Sequence, residues 1–99
     1  MSRFDLYRGT GGTTYLLDLQ SEYLVDYSTR VVAPVVPLAE FKYPVKGLNP
    51  LVTIEDETFV VLTHFIAAIP AAGLGAYVTN LLSQSDEFTR ALDLLFQGY

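Results

Sequence analysis

The chain has 99 residues, no cysteine and a formal net charge of −5 at pH 7, and hydrophobic residues make up 51% of it. That length predicts one domain, residues 1–99, with a single core. The acidic charge argues against a protein that binds the phosphate backbone of nucleic acids. The lack of cysteine excludes a disulfide framework and a thiolate zinc site. Charged residues are only 17%, against about 25% in a typical soluble domain, which favours surplus apolar surface at an oligomer interface.

The first third of the chain shows strand patterns. Residues 3–7 alternate between apolar and polar side chains, as a half-buried strand does. Residues 8–14 are rich in glycine but lack the Lys-Ser/Thr of a phosphate-binding loop, so they predict a hairpin connection. Residues 15–20 predict a second strand, and residues 21–28 a polar and aromatic turn region.

A β-branched run at residues 29–36 is the strongest strand signal in this part of the chain. Pro34 lacks an amide donor, which predicts an edge or a bulge at that point. Residues 37–50 carry several proline and glycine interruptions and predict an irregular excursion.

Two further strands, residues 51–54 and 58–63, flank an acidic hairpin turn at residues 55–57. Residues 65–82 carry hardly a charge, but proline, glycine and asparagine interrupt them, so they predict a buried strand and a bend instead of a membrane span. Together the patterns predict five to seven short strands in one antiparallel assembly, closed by one C-terminal helix.

The C-terminal helix is the clearest element of the chain. Ser83 and Asp86 have the spacing of a helix-capping pair, and Gly98 suits the left-handed residue that commonly ends a helix. The apolar stripe has helical period, and we expect it to be largely buried: Phe88, Ala91, Leu92, Leu95 and Phe96.

Residues that could carry chemistry are few. His64 is the only histidine and stands in an apolar run, where a packed side chain is more common than a ligand or base. The acidic residues 55–57 are more typical of a solvated turn than of a catalytic carboxylate pair. These residues favour a binding protein without metal or cofactor, and the charged N-terminus lacks a signal peptide's apolar segment, so we expect a cytoplasmic protein.

Six segments, in order and spacing, resemble the CcdB family of toxins. Residues 4 and 7 also fit that family's first strand, and the similarity runs from about residue 15 to the end of the chain. The segments are residues 18–22, 30–34, 53–59, 62–63, 67–70 and 91–99.

The resemblance implies a fold, a mechanism and partners. It implies an SH3-like antiparallel β barrel with a small extra sheet and one C-terminal helix, in a two-fold homodimer. CcdB toxins have no catalytic activity: the dimer binds the A subunit of DNA gyrase and holds the enzyme on cleaved DNA. A CcdA antitoxin wraps the toxin with a disordered segment, removes it from gyrase and forms a complex that represses the operon. DNA is then contacted only indirectly, and no membrane is involved.

The family's gyrase-binding surface can be carried over residue by residue. The last three positions contribute most, and the family has Trp, Gly and an aliphatic residue there. This chain has Gln97, which lacks the aromatic face that attracts gyrase arginines, then Gly98 and an aromatic Tyr99. The matching positions elsewhere are Phe4, Tyr7, Ser21, Tyr23, Leu24 and Asp93. For Phe4 and Leu24 we give equal weight to core packing and to contact with gyrase. Tyr7 and Tyr23 favour the surface.

Three hypotheses follow. The first is a CcdB-like gyrase poison that an antitoxin neutralises. The second is a homologue that keeps dimerisation and antitoxin binding but has lost or retargeted poisoning, since Gln97 stands in place of the family tryptophan. The third is a ribonuclease like the MazF and Kid toxins, which share the barrel; such sharing is weak evidence of function.

Overall fold

A computed structural model gives the fold and describes residues 2–9 and 14–98. The described chain contains seven strands and one α-helix, joined by short 3₁₀ turns. The bounds are β1 Asp5–Arg8, β2 Tyr15–Asp18, β3 Thr29–Pro37, β4 Leu51–Ile54, β5 Glu57–Val61, β6 Ala67–Pro70, β7 Tyr77–Asn80 and α1 Ser85–Gln97.

The strands form one antiparallel sheet in the order β4-β5-β3-β2-β1-β7, with β6 attached to β3. The sheet curls into a half-barrel, and α1 packs against its apolar side. The predicted fold class, mainly β with an antiparallel barrel-like sheet and one C-terminal helix, is confirmed. Strands β6 and β5 both lie beside β3, so the smaller part of the sheet is continuous with the larger one.

Strand β3 is the centre of the sheet and changes partner along its length. One side pairs with β2, while the other side pairs first with β6 and then with β5. Pro34 falls between those two partners, and its carbonyl accepts a 2.8 Å bond from the Leu62 amide. The missing amide therefore lies at a break in the ladder, as the sequence predicts.

The β4–β5 hairpin has the predicted acidic turn. Glu55 and Asp56 have φ of 51° and 66°, as the two central residues of a tight I′-type turn require. The β1–β2 hairpin is also confirmed by its pairing, and the Gly9 amide donates to the Thr14 carbonyl at 2.8 Å. Residues 10–13 of that connection lie outside the described part of the chain.

The core lies between the concave side of the sheet and the first half of α1. Phe88 is 2% exposed and Ala91 is fully buried, and the Phe88 ring lies 5.4 Å from that of Phe4. The inward strand positions, with Leu19 directly after β2, complete this core: Leu6, Tyr15, Leu17, Ala33, Val35, Val52, Ile54, Phe59 and Val61. Helix packing therefore depends on two turns of α1.

The predicted start of the helix is wrong. The helix begins at Ser85, and Gln84 occupies the N-cap without a side-chain cap bond. Residues 82–84 form a 3₁₀ turn instead, and the Asn80 side chain accepts a 2.8 Å bond from the Leu82 amide. Ser83 lies within this 3₁₀ turn, so it does not stand at the N-cap position of α1. The C-terminal prediction is confirmed, since Gly98 has φ of 82° and its amide donates to the Leu94 carbonyl.

Two burial predictions are also wrong. Residues 65–82 do not form a buried strand: β6 is mostly exposed and β7 is only partly buried. The helix stripe is not buried to its end either, since Leu92 and Leu95 are half-buried and Phe96 is 70% exposed. The sheet is too small to cover every turn of α1, so the last turn stands clear of the core.

Candidate partner-binding surface

The turn after β2 presents an aromatic side chain that has hardly any contact with its own chain. Residues Glu22–Leu24 form a 3₁₀ turn, and the Ser21 hydroxyl accepts a 3.2 Å bond from the Tyr23 amide at its start. Tyr23 is 98% exposed and Leu24 is 38% exposed. Both residues therefore lie on the surface, and a core role for Leu24 is not supported.

Phe4 lies in the core instead of on the surface. It is 2% exposed, and its φ of 70° is in the left-handed region that side-chain-bearing residues rarely adopt. The Arg3 guanidinium lies 4.8 Å from the ring centre, a cation–π distance. Phe4 therefore supports the surface from beneath.

Three of the predicted contact residues meet at one cleft of about 410 Å³ beside the helix. The cleft places the turn after β2 next to the first half of α1, and its floor carries the edge of the core. Its lining is Arg3, Phe4, Ser21, Glu22, Tyr23, Leu82, Ser85 and Thr89.

The helix extends this surface toward its C-terminus. At 100° per residue, Asp93 and Phe96 lie on the same face as Thr89, with Phe96 about 10 Å further along the axis. Phe96 is exposed, as are Gln97 and Gly98. Tyr99, the last of the predicted contacts, lies outside the described residues. We call the surface formed by Tyr23, Leu24, Asp93 and residues 96–98 the turn–helix surface.

Tyr7 does not join the turn–helix surface. It is 7% exposed, so the expectation of a surface tyrosine is wrong, and its hydroxyl donates to the Asp5 carboxylate at 3.2 Å. Burial, followed by the nearby Asp5 carboxylate, raises the pKa of Tyr7 to about 12. The Tyr77 ring packs edge-on against it at 6.0 Å. Tyr7 is thus a core group on the polar side of β1.

Asp93 also borders a second cleft, of about 500 Å³, on the other side of α1. Lysine and arginine alternate with glutamate and aspartate around it, so its lining carries both signs of charge. The lining residues are Lys46, Gly47, Pro50, Glu87, Arg90, Asp93 and Leu94.

His64 lies on the surface, not within the core. Its ring packs 4.4 Å from the Phe65 ring, and Nδ1 lies 3.2 Å from the Asn49 amide nitrogen. Within residues 2–9 and 14–98, no group of three or more His, Asp or Glu is arranged to hold a metal ion. The described part of the chain also has no helix long and apolar enough to cross a membrane.

Sequence reasoning missed two features of this region. The spacing of Phe96 continues the apolar stripe and predicts a core residue, but the sheet does not extend far enough to cover the last turn of α1. A buried ion pair between Asp18 and Arg30, both fully buried, lies behind the turn. Its signal in the sequence is a single charge in each strand, on the face opposite the apolar core.

A curled antiparallel half-barrel with one C-terminal helix defines a small mainly-β protein of the CcdB fold type. A family model described as CcdB protein matches residues 3–98, so the chain belongs to the CcdB family. Membership of that family implies the toxin of a toxin–antitoxin pair. CcdB toxins as a family poison gyrase and are generally not enzymes themselves.

Proposed function

We propose that this protein is a cytoplasmic, non-catalytic toxin whose homodimer binds the A subunit of DNA gyrase and traps its cleaved-DNA complex. A CcdA-like antitoxin neutralises it, and the toxin reaches operator DNA only through that antitoxin. The match to the CcdB family over residues 3–98 carries the proposal.

The turn–helix surface supports a protein partner. Aromatic side chains dominate binding energy at interfaces because they bury a large area at low entropic cost. Tyr23 is 98% and Phe96 is 70% exposed, so each offers most of a ring to a partner. Gln97 and Gly98 continue the surface at the helix end, and we assign the aromatic role of the family tryptophan to Phe96 and Tyr23.

Surplus apolar surface supports the dimer. Large contiguous apolar patches are rare on monomeric soluble proteins and commonly mark interaction sites. Beyond the turn–helix surface this chain exposes Tyr27, Tyr43, Val45, Leu51, Phe65 and Tyr77, each by more than two fifths of its area. Sedimentation at high micromolar concentration should therefore give a dimer, and a purely monomeric profile would remove the two-fold mode of engaging gyrase.

One observation favours the second candidate, a homologue that keeps dimer and antitoxin but not poisoning. Gln97 occupies the position of the family tryptophan and has no aromatic face for a gyrase arginine. The ribonuclease alternative gains nothing from the geometry, since His64 contacts Asn49 and aromatic rings and the chain has a net charge of −5.

A cleavage-complex assay with purified gyrase and supercoiled plasmid tests both candidates. The native protein should produce linear DNA, and Tyr23→Ala and Phe96→Ala should each reduce its yield by about tenfold or more. Thr58→Ala is the control, because Thr58 is an exposed position of β5 that belongs neither to the turn–helix surface nor to the exposed apolar residues named for the dimer. Linear DNA from Gln97→Trp alone would support the second candidate. If neither the native protein nor the Gln97→Trp variant produces linear DNA, gyrase is rejected as the target.

A further inference from the structure

A fully buried ion pair joins β2 to β3 behind the turn–helix surface. Arg30 Nε and Nη2 both donate to Asp18 Oδ2, at 3.0 and 2.7 Å. The other carboxylate oxygen of Asp18 accepts a 3.0 Å bond from the Gln20 amide. Both charges are therefore matched, and each Asp18 oxygen has a partner.

The same network reaches the exposed turn. Arg30 Nη1 donates to the Leu24 carbonyl at 3.3 Å, and the Gln20 side-chain amide donates to that carbonyl at 3.1 Å. Gln20 is itself fixed, because its side-chain oxygen accepts a 2.9 Å bond from the Val31 amide. One backbone oxygen of the turn is thus held by two side chains that the sheet orients.

Packing contributes little to holding this turn. None of the residues Glu22–Leu24 is buried, and the turn's own bonds are local ones, such as that from the Leu24 amide to the Ser21 carbonyl. Without an apolar anchor, a short 3₁₀ turn would sample several orientations. The Leu24 carbonyl also accepts a local 3.1 Å bond from the Tyr27 amide, so the two side-chain bonds are the ones that tie it to the sheet. Tyr23 is the residue immediately before Leu24.

A buried ion pair is by itself weak evidence for a role in stability. An apolar pair of similar volume is often as stable as a buried ion pair, because desolvation offsets the charge attraction. What an apolar pair lacks is a third donor aimed at the turn. A planar guanidinium provides that donor together with two for the carboxylate from three separate nitrogens, whereas the three donors of a lysine ammonium all radiate from one nitrogen.

We infer that Arg30 and Gln20 are positioning residues for partner binding: their bonds to the Leu24 carbonyl hold Tyr23 in the orientation that the gyrase A subunit recognises. This inference rests on the proposed function for the identity of the partner. The positioning itself concerns only this chain. Loss of these bonds should reduce affinity through the turn, without removing any atom of the turn–helix surface.

Arg30→Lys and Gln20→Met are the test variants. Arg90→Lys, at an exposed position of α1, is the control. Arg30→Lys keeps the charge beside Asp18, and Gln20→Met keeps the side-chain length. Hydrogen exchange at the amides of Leu24, Val25 and Tyr27 should accelerate in both test variants, while the backbone-paired amides of β2 and β3 stay protected. The Val31 amide is left out of that comparison, because its acceptor is the Gln20 side chain. Affinity for purified gyrase A subunit should fall by about threefold to tenfold. The control should change neither quantity.

A double-mutant cycle separates positioning from general destabilisation. If Gln20 acts through Tyr23, then Gln20→Met should cost little further affinity once Tyr23→Ala is present. Additive losses in that cycle, or exchange rates at residues 24–27 that match the native protein, would overturn the inference. If the native protein does not bind the gyrase A subunit, the proposed function fails, and the exchange rates still decide whether the turn is positioned by Arg30 and Gln20.

Discussion

The central strands β1, β2 and β3 are buried on both faces, but the two faces are built differently. One face is apolar and packs on α1 through Leu6, Leu17, Ala33 and Val35. The other face is polar and carries Asp5, Tyr7, Asp18 and Arg30, each less than a tenth exposed. No buried side-chain polar atom among the described residues lacks a hydrogen-bond partner.

The two faces therefore contribute differently: the apolar face stabilises the fold, and the polar face fixes where its bonded groups lie. Apolar packing is non-directional, so the core face can tolerate small shifts of a side chain at modest cost. Hydrogen bonds fix both distance and angle, so the polar face determines where its partners lie. The first face holds the helix, whereas the second holds the turn that carries Tyr23 and the N-terminal strand.

The largest effect should come from the apolar face. Phe88→Ala removes a ring that is 2% exposed, and it should lower the free energy of unfolding by about 3–5 kcal/mol. Phe96→Ala, on the same helix but exposed, should change it by less than about 0.5 kcal/mol. Denaturant melts of both variants measure the contrast. Equal losses would mean that the last turn of α1 is also packed.

On the polar face, the loss in the free energy of unfolding should depend on whether one or both residues of the ion pair are replaced. Asp18→Leu leaves the Arg30 guanidinium buried without its carboxylate and should cost about 3–5 kcal/mol. Replacing both residues, as Asp18→Val with Arg30→Met, should recover most of that loss because no charge remains buried. Chemical denaturation of the single and double variants provides the comparison. A double variant as unstable as the single one would show that the pair itself stabilises the fold.

Leu92→Ala tests how far the core extends along α1. Leu92 is only partly buried against the core cluster, so its truncation should cost about 1–2 kcal/mol, less than a fully buried leucine. A urea titration is sufficient to measure this value. A cost above about 3 kcal/mol would place Leu92 in the core proper, as the sequence pattern predicted.

The smallest effect at neutral pH should come from Tyr7→Phe. This variant loses one hydrogen bond to Asp5, about 1 kcal/mol. Because the pKa of Tyr7 rises from 10.0 unfolded to about 12 folded, its contribution is full below pH 10 and disappears as pH rises to 12. Melting curves between pH 8 and 12 should therefore show a shallower loss for Tyr7→Phe than for the native protein. Parallel curves would show that Tyr7 titrates normally.

The strands could be read from the sequence where local chemistry agrees with the sheet. Alternation located β1, the β-branched run located β3, and the acidic turn located the β4–β5 hairpin. The segment after Thr63 could not be read in this way, because its exposed alanines belong to β6, which pairs with β3 through backbone bonds. Backbone pairing at an edge leaves no periodic apolar signal.

The candidate site was predictable only by resemblance, and its residues have unequal roles. Tyr23, Gln97 and Gly98 are exposed, while Phe4 and Tyr7 are buried beneath or beside them. Sequence patterns cannot separate these cases, because an aromatic residue in a strand suits a core and an interface equally. Arg30 and Gln20 gave no functional signal of their own, since their significance depends on the carbonyl that they reach.

The sequence by itself determined the antiparallel mainly-β fold, the acidic hairpin turn and the end of the helix at Gly98. These features follow from side-chain period and from backbone angles that few residues adopt, both of which are local properties. The tertiary structure decided where the core stops along α1, and which charges are buried. Those outcomes depend on the area of the sheet and on contacts between residues far apart in the chain, which no local pattern records.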